Sequence, residues 1–151
     1  MLEQDITEVR KERHQITQED FTPEEVVNIM YQDCPEEMFS DFSKTILDPC
    51  SGIGNLLLYA IKRRLEYCKT NEDVYAAIST IYGTELMEDN VDECKKNILF
   101  ILLSITSKKG MNLDESKVIE ILNNNFQATD TFKWDYKHWK HDYTGESLEL
   151  F

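Results

Sequence analysis

Two carboxylates and a glycine-bearing loop are the parts of this 151-residue sequence whose types and spacing could do chemistry. Asp48 closes the apolar run Thr45-Ile-Leu-Asp48, and Pro49-Cys-Ser-Gly-Ile-Gly-Asn55 carries the chain on into Leu56-Leu-Leu58. Gly52 and Gly54 lack a Cβ, so the backbone can turn tightly there and come close to a ligand. The N–H groups freed at the start of the following helix can then bind polar or anionic ligand atoms. Glu85 stands at the carboxyl end of a second apolar run, where doubly wound folds place an acid for ribose hydroxyls. One carboxylate accepts from two vicinal hydroxyls, and the glycine loop upstream favours that role over a simple helix-start charge. His138 and His141, with Asp135 and Asp142 nearby, have metal-like spacing. A polar tail accounts for them, and no metal site is expected.

These residues need strands to deliver them and helices to follow. Leu56, Leu57, Ala60, Ile61 and Leu65 recur at helical spacing, which puts Lys62, Arg63, Arg64 and Glu66 on the other face. Thr70 or Asn71 starts a short helix, and Ser79-Thr-Ile-Tyr-Gly-Thr-Glu-Leu86 reads as a strand. Met87 then opens a long helix with Val91, Cys94, Ile98, Ile101 and Leu102 as its buried stripe, stopped at Lys108-Lys-Gly110. Leu113 to Leu122 forms another helix, and Asn125-Phe-Gln-Ala-Thr129 a third strand leading to Asp130. Strand and helix alternate, so right-handed βαβ crossovers and a parallel sheet are expected. Upstream, Thr22 as N-cap, Pro23 in the first turn and Glu25 in a capping box predict a helix with Val26, Val27, Met30 and Tyr31 as its apolar stripe. The turn-rich stretch 33–43 is a connector.

Composition sets the limits. A net charge of −13, from 29 Asp and Glu against 16 Lys and Arg, opposes holding a phosphate backbone unaided. Either a partner chain supplies the basic surface or DNA is not held here. Cys34, Cys50, Cys68 and Cys94 lie far apart with no Cys-x-x-Cys pair, so free thiols in a cytoplasmic protein are expected. The run Ile98-Leu-Phe-Ile-Leu-Leu-Ser-Ile105 is too short to span a bilayer, and Met1-Leu-Glu-Gln-Asp5 opens with acids rather than a basic signal region.

The ordered set of motifs resembles that of S-adenosylmethionine (SAM)-dependent N6-adenine DNA methyltransferases. Asp48-Pro-Cys-Ser-Gly-Ile-Gly-Asn55 is similar to their first motif, Asp-Pro-x-Cys/Ser-Gly-x-Gly-x-Phe/Leu. Phe21-Thr22-Pro23 resembles the Phe/Tyr-Thr-Pro triplet that packs over the methionine end of the cofactor. Tyr82-Gly-Thr-Glu-Leu-Met-Glu-Asp-Asn-Val91 resembles the second motif, in which Glu85 would hold the ribose and Leu86 or Met87 flank the adenine. Asp130-Thr-Phe-Lys-Trp-Asp-Tyr136 resembles the third, in which Asp130 accepts from the adenine amino group and Phe132 lies beside it. The resemblance therefore implies SAM as cofactor. Pro49, Cys50, Ser51, Gly52, Gly54 and Asn55 would form its loop, and Asp48 would contact the methionine amine. It also implies an α/β, Rossmann-like methyltransferase fold, a parallel sheet flanked by helices and truncated after about three strands. Residues 1–20 would form a polar arm or helix, 21–136 the SAM-binding domain, and 137–151 a polar, aromatic tail.

The family's Asp/Asn-Pro-Pro-Tyr/Phe motif, which receives the flipped base, has no counterpart in this sequence. The three prolines, Pro23, Pro35 and Pro49, are never adjacent, so no catalytic residue is assigned. The resemblance is to short methylase-like proteins of phages and bacteria, of the kind associated with restriction–modification. It predicts the SAM-binding half of an N6-adenine DNA methyltransferase, reaching DNA through a partner chain, with a hetero- or homo-oligomer formed on the open sheet edge. The competing reading is a non-catalytic module: a SAM sensor or sequestering protein, or an acidic anti-restriction decoy.

Overall fold

In the computed structural model, which describes residues 22–142, three short strands form the centre. They are β1 (Ile46–Asp48), β2 (Ile81–Glu85) and β3 (Phe126–Ala128), in the order β1-β2-β3 with both pairs parallel. The register sets Asp48 opposite Gly83 and Glu85 opposite Ala128. All three strands therefore present their carboxyl ends on one side. Two helices, α1 (Glu24–Tyr31) and α2 (Glu37–Ser40), precede β1; α3 (Asn55–Leu65) and α4 (Asn71–Ser79) join β1 to β2, and α5 (Glu88–Lys108) and α6 (Glu115–Asn125) join β2 to β3. This is the expected α/β, Rossmann-like sheet truncated after three strands.

Alternation along the strands decides the layers. Ile46, Ile81 and Phe126 are buried in one core with Leu57, Ile61 and Leu65 of α3, Ile98 and Leu102 of α5, and Val118 and Leu122 of α6. Thr70 caps α4 in a full capping box with Asp73, and Asp114 caps α6 through the Ser116 and Lys117 N–H groups. Gly110 ends α5 at φ 76°.

Three sequence expectations are corrected. Arg64 is not on the polar face of α3 but fully buried, at 0% exposure. Its guanidinium donates to the Ala77 carbonyl and Thr80 Oγ1 at 2.7 Å, to the Lys44 carbonyl at 2.5 Å, and to the Met38 carbonyl at 3.1 and 3.3 Å. It thus ties together the segments that enter β1 and β2, which need donors for carbonyls left unpaired at strand starts and at a helix C-terminus. Thr22 does not cap α1: Pro23 holds the N-cap position, and no side chain bonds there. Of the predicted α1 stripe only Val27 and Tyr31 are buried, while Val26 and Met30 face outward; Ile101 of α5 is half-buried.

Residues 134–141 add a two-stranded antiparallel hairpin, β4 (Trp134–Asp135) and β5 (Lys140–His141), after a turn of 3-10 helix at Thr131–Lys133. Trp139 between these strands meets Tyr82 and Trp134 edge-on, with ring centroids 4.7 and 5.3 Å away. Its φ of 51° is a left-handed conformation that bulky residues seldom adopt. The indole N–H, donating to the Asn124 carbonyl at 2.6 Å, helps hold it there.

Candidate functional site

The carboxyl ends of β1 and β2 meet the glycine loop, and hydrogen bonds fix its course. Asp48 Oδ1 accepts from the Cys50 N–H at 3.0 Å, turning the chain at the end of β1. The Ser51 N–H donates to the Thr84 carbonyl at 2.9 Å, and Thr84 Oγ1 donates to the Pro49 carbonyl at 2.9 Å, so β2 clamps the loop from the side. Gly52 and Gly54 have φ of 53° and 95°. A Cβ on Gly54 would lie 2.6 Å from Cys94 Sγ of α5, so this position must be glycine both for its backbone angle and for room.

Glu85 closes the loop from above. Oε2 accepts from the Gly52 N–H at 2.9 Å and Oε1 from the Met87 N–H at 3.0 Å. A carboxylate offers about four lone-pair sites, so each oxygen retains capacity for a ligand hydroxyl. From the other side, Asn55 Nδ2 donates to the Thr22 carbonyl at 2.9 Å, bringing the start of α1 over the loop. Thr22, Asp48, Cys50, Ser51, Gly52 and Asn55, with Ile53 and Leu56, line one small cavity of about 30 Å³.

Charge in the cavity is of one sign. Burial, reinforced by Glu85, pushes the Asp48 carboxyl above its ordinary value, although the Cys50 N–H works the other way. The Cys50 thiol is pushed up by burial and then by Asp48 and Glu85. Cys94 beneath the loop is raised to about 12, by burial first and by Asp48 second. A cationic group entering beside Asp48 relieves this mutual repulsion.

The other predicted positions among the described residues lie outside the cavity lining. Pro49 and Gly54 shape the loop, and Pro23 opens α1. Leu86 and Phe132, at the ends of β2 and just beyond β3, are exposed large apolar residues, at 62% and 61%. Asp130 caps the 3-10 turn, its Oδ1 accepting from the Phe132 N–H at 3.0 Å, with Lys133 Nζ 4.0 Å from Oδ2. Phe21 lies outside the described residues. Three contributors escaped the sequence reading: Thr84 through Pro49, Cys94 under Gly54, and Asn97 donating to the Ile53 carbonyl at 3.2 Å. An Asn inside a helix facing a predicted loop was the one available signal.

Among the described residues no group of three or more His, Cys, Asp or Glu is placed to hold a metal, and no helix is long and apolar enough to cross a membrane. A family model described as N-6 DNA Methylase matches residues 3–135, most of the chain. Comparison with curated proteins and with solved structures gave no match.

Proposed function

The chain belongs to the N-6 DNA methylase family, and from that premise we propose that it is the SAM-binding half of an N6-adenine DNA methyltransferase, acting on adenine in DNA with a partner chain. The observation that carries the reading is that Thr22, Asp48 and the glycine loop line one cavity, while Glu85 accepts from the Gly52 N–H of that loop. When bound, SAM supplies a methyl group activated on a sulfonium. Asp48 Oδ2, with no partner among the described residues, receives the ammonium of its amino-acid end. Glu85 accepts from the ribose hydroxyls through its remaining lone pairs. Leu86, Met87 and Phe132 cover the faces of the adenine, and Asp130 accepts from its amino group. Thr22 and Pro23 close over the methionine end, while Pro49, Cys50, Ser51, Gly54 and Asn55 hold the loop around it. Methyl transfer from a sulfonium needs positioning more than a strong base, which suits a site built from fixed carboxylates and backbone.

In this reading the base-receiving residues come from outside residues 1–151, whose three prolines are never adjacent. The outer edge of β1 pairs with no strand among the described residues and is where the partner chain, or a second copy, would add to the sheet. The lack of adjacent prolines, with the −13 charge, favours the second reading, a SAM-binding module without catalysis. Ultraviolet crosslinking of methyl-labelled SAM tests the site. Label recovered in peptides spanning residues 45–57 or 81–88 supports it; label confined elsewhere overturns it.

A further inference from the structure

Among the described residues, the face of the sheet opposite the helices is only half covered. Parallel sheets are ordinarily buried on both faces, yet the hairpin covers Tyr82 and Thr84 and stops short of β1, leaving Leu47 40% exposed. Between them runs an open groove of about 250 Å³ lined by Thr45, Leu47, Tyr82, Tyr136, Lys137 and Trp139. We propose that this groove binds single-stranded nucleic acid, one base resting against Trp139, Tyr136 and Tyr82 and the flanking phosphates lying on Lys137 and Lys140.

Chemistry favours a strand of nucleic acid over a protein. Half-exposed aromatic rings are sequence-tolerant platforms for bases, and cations beside them follow the backbone. Although the chain carries −13 overall, no acid lines this groove. Residues 130–142 hold three lysines and three aspartates; Asp130 lies 4.0 Å from Lys133, and one carboxylate falls between Lys133 and Lys137. That carboxylate, Asp135, is engaged by His138 Nδ1 at 2.7 Å and by the Lys137 and His138 N–H groups at 3.1 Å. Neither the Lys137 nor the Lys140 ammonium is in an ion pair among the described residues. Protein interface cores, by contrast, are depleted in lysine, whereas Lys137 lines this groove. Trp139 is kept in its strained backbone conformation as part of the groove wall. Residues 136–141 lie beyond the stretch that matches the family.

The groove is joined to the loop of the candidate site. The Tyr136 hydroxyl lies 3.2 Å from Thr84 Oγ1, which donates to the Pro49 carbonyl at 2.9 Å. Thr84 thus touches both the hairpin that walls the groove and the loop that follows β1. As a place for the methyl acceptor the proposal rests on the reading above, but strand binding itself is measured without SAM.

The test is a titration of the full chain with a fluorescein-labelled 12-nucleotide DNA single strand containing adenine, beside the same sequence as RNA and as duplex DNA. The chain's two tryptophans, Trp134 and Trp139, both belong to this cluster, so intrinsic fluorescence reports on it. We expect saturable binding of a DNA or RNA single strand with tryptophan quenching, the tighter of the two naming the natural strand. The surface double variant K137E/K140E should bind at least tenfold more weakly, with a salt slope smaller by about 1.4, from roughly 0.7 per phosphate. K95E/K96E on α5, the same charge change elsewhere, should alter binding less than twofold. No saturable binding, equal losses in the two double variants, or unquenched binding equal for duplex and single strand would each overturn the proposal. Self-association broken by Leu47→Lys, without oligonucleotide binding, would also overturn it and identify a protein interface. Titrating the same preparations with SAM separates the failures. Strand binding without SAM binding overturns only the cofactor reading, and the converse overturns only this one.

Discussion

Glu85 Oε2 accepts the Gly52 N–H at 2.9 Å, so the acid at the end of β2 is bonded to the loop that follows β1. With the Met87 N–H on its other oxygen, this one side chain holds both sides of the crevice. Replacing it by alanine leaves two partly buried N–H groups without acceptors, a cost of about 1–3 kcal/mol. Glu85→Gln keeps one good acceptor and should lose less. Urea unfolding of the two variants checks the order; an alanine variant within about 0.5 kcal/mol of wild type, the usual range for surface substitutions, would show that the crevice does not depend on Glu85.

Gly54 and Gly110 both have positive φ, 95° and 76°, but only Gly54 has a neighbour in the way. Gly110→Ala should cost about 1 kcal/mol from the backbone alone, and Gly54→Ala at least twice that, since Cys94 Sγ must also move. Adding Cys94→Ala should recover the steric part and leave the backbone part. Thermal unfolding of the three variants resolves the two contributions.

Arg64 is held by carbonyls rather than by a carboxylate. Arg64→Met fills much of the same volume but leaves the Lys44, Met38 and Ala77 carbonyls unanswered, and should destabilise by about 3–5 kcal/mol. Arg64→Lys restores the charge without the planar fork and should recover only part of the loss. Hydrogen exchange should show the loss first at the β1 and β2 entries.

Asp48 gives a pH dependence with a definite sign. Its carboxyl is raised above the ordinary 3.8 by burial, then by Glu85. From near that ordinary value up to its folded-state pKa, the folded chain therefore binds more protons than the unfolded chain. Stability from this group falls as pH rises through that window and is lowest above it. Asp48→Asn should be more stable than wild type at neutral pH, with the advantage vanishing by pH 3.5. Melting curves across that range decide it; an advantage independent of pH would assign the gain to something other than ionisation.

Much of this was legible in the sequence because strand, glycine loop and helix follow from local rules: β-branched runs, residues without Cβ, and apolar spacing. Asp48, Glu85 and their strands are of that kind. Arg64 was not, because its partners are backbone carbonyls contributed by three distant segments and helical spacing alone placed it outside. Thr22 satisfied a capping pattern, yet no side chain bonds at that helix start, and its carbonyl accepts from Asn55, a tertiary contact that no local rule reveals. Strands as short as β4 and β5 show no alternation, and the hairpin became visible only when Trp139 met Tyr82 across the sheet.

Calorimetric titration of the full chain with SAM, alongside Asp48→Asn and Glu85→Ala shown to be folded, tests the central claim most directly. The account predicts one saturable site on wild type, weakening as pH falls and Asp48 protonates, and at least tenfold weaker in each variant. A folded wild-type chain that takes up no SAM, or variants that bind as wild type does, would contradict it.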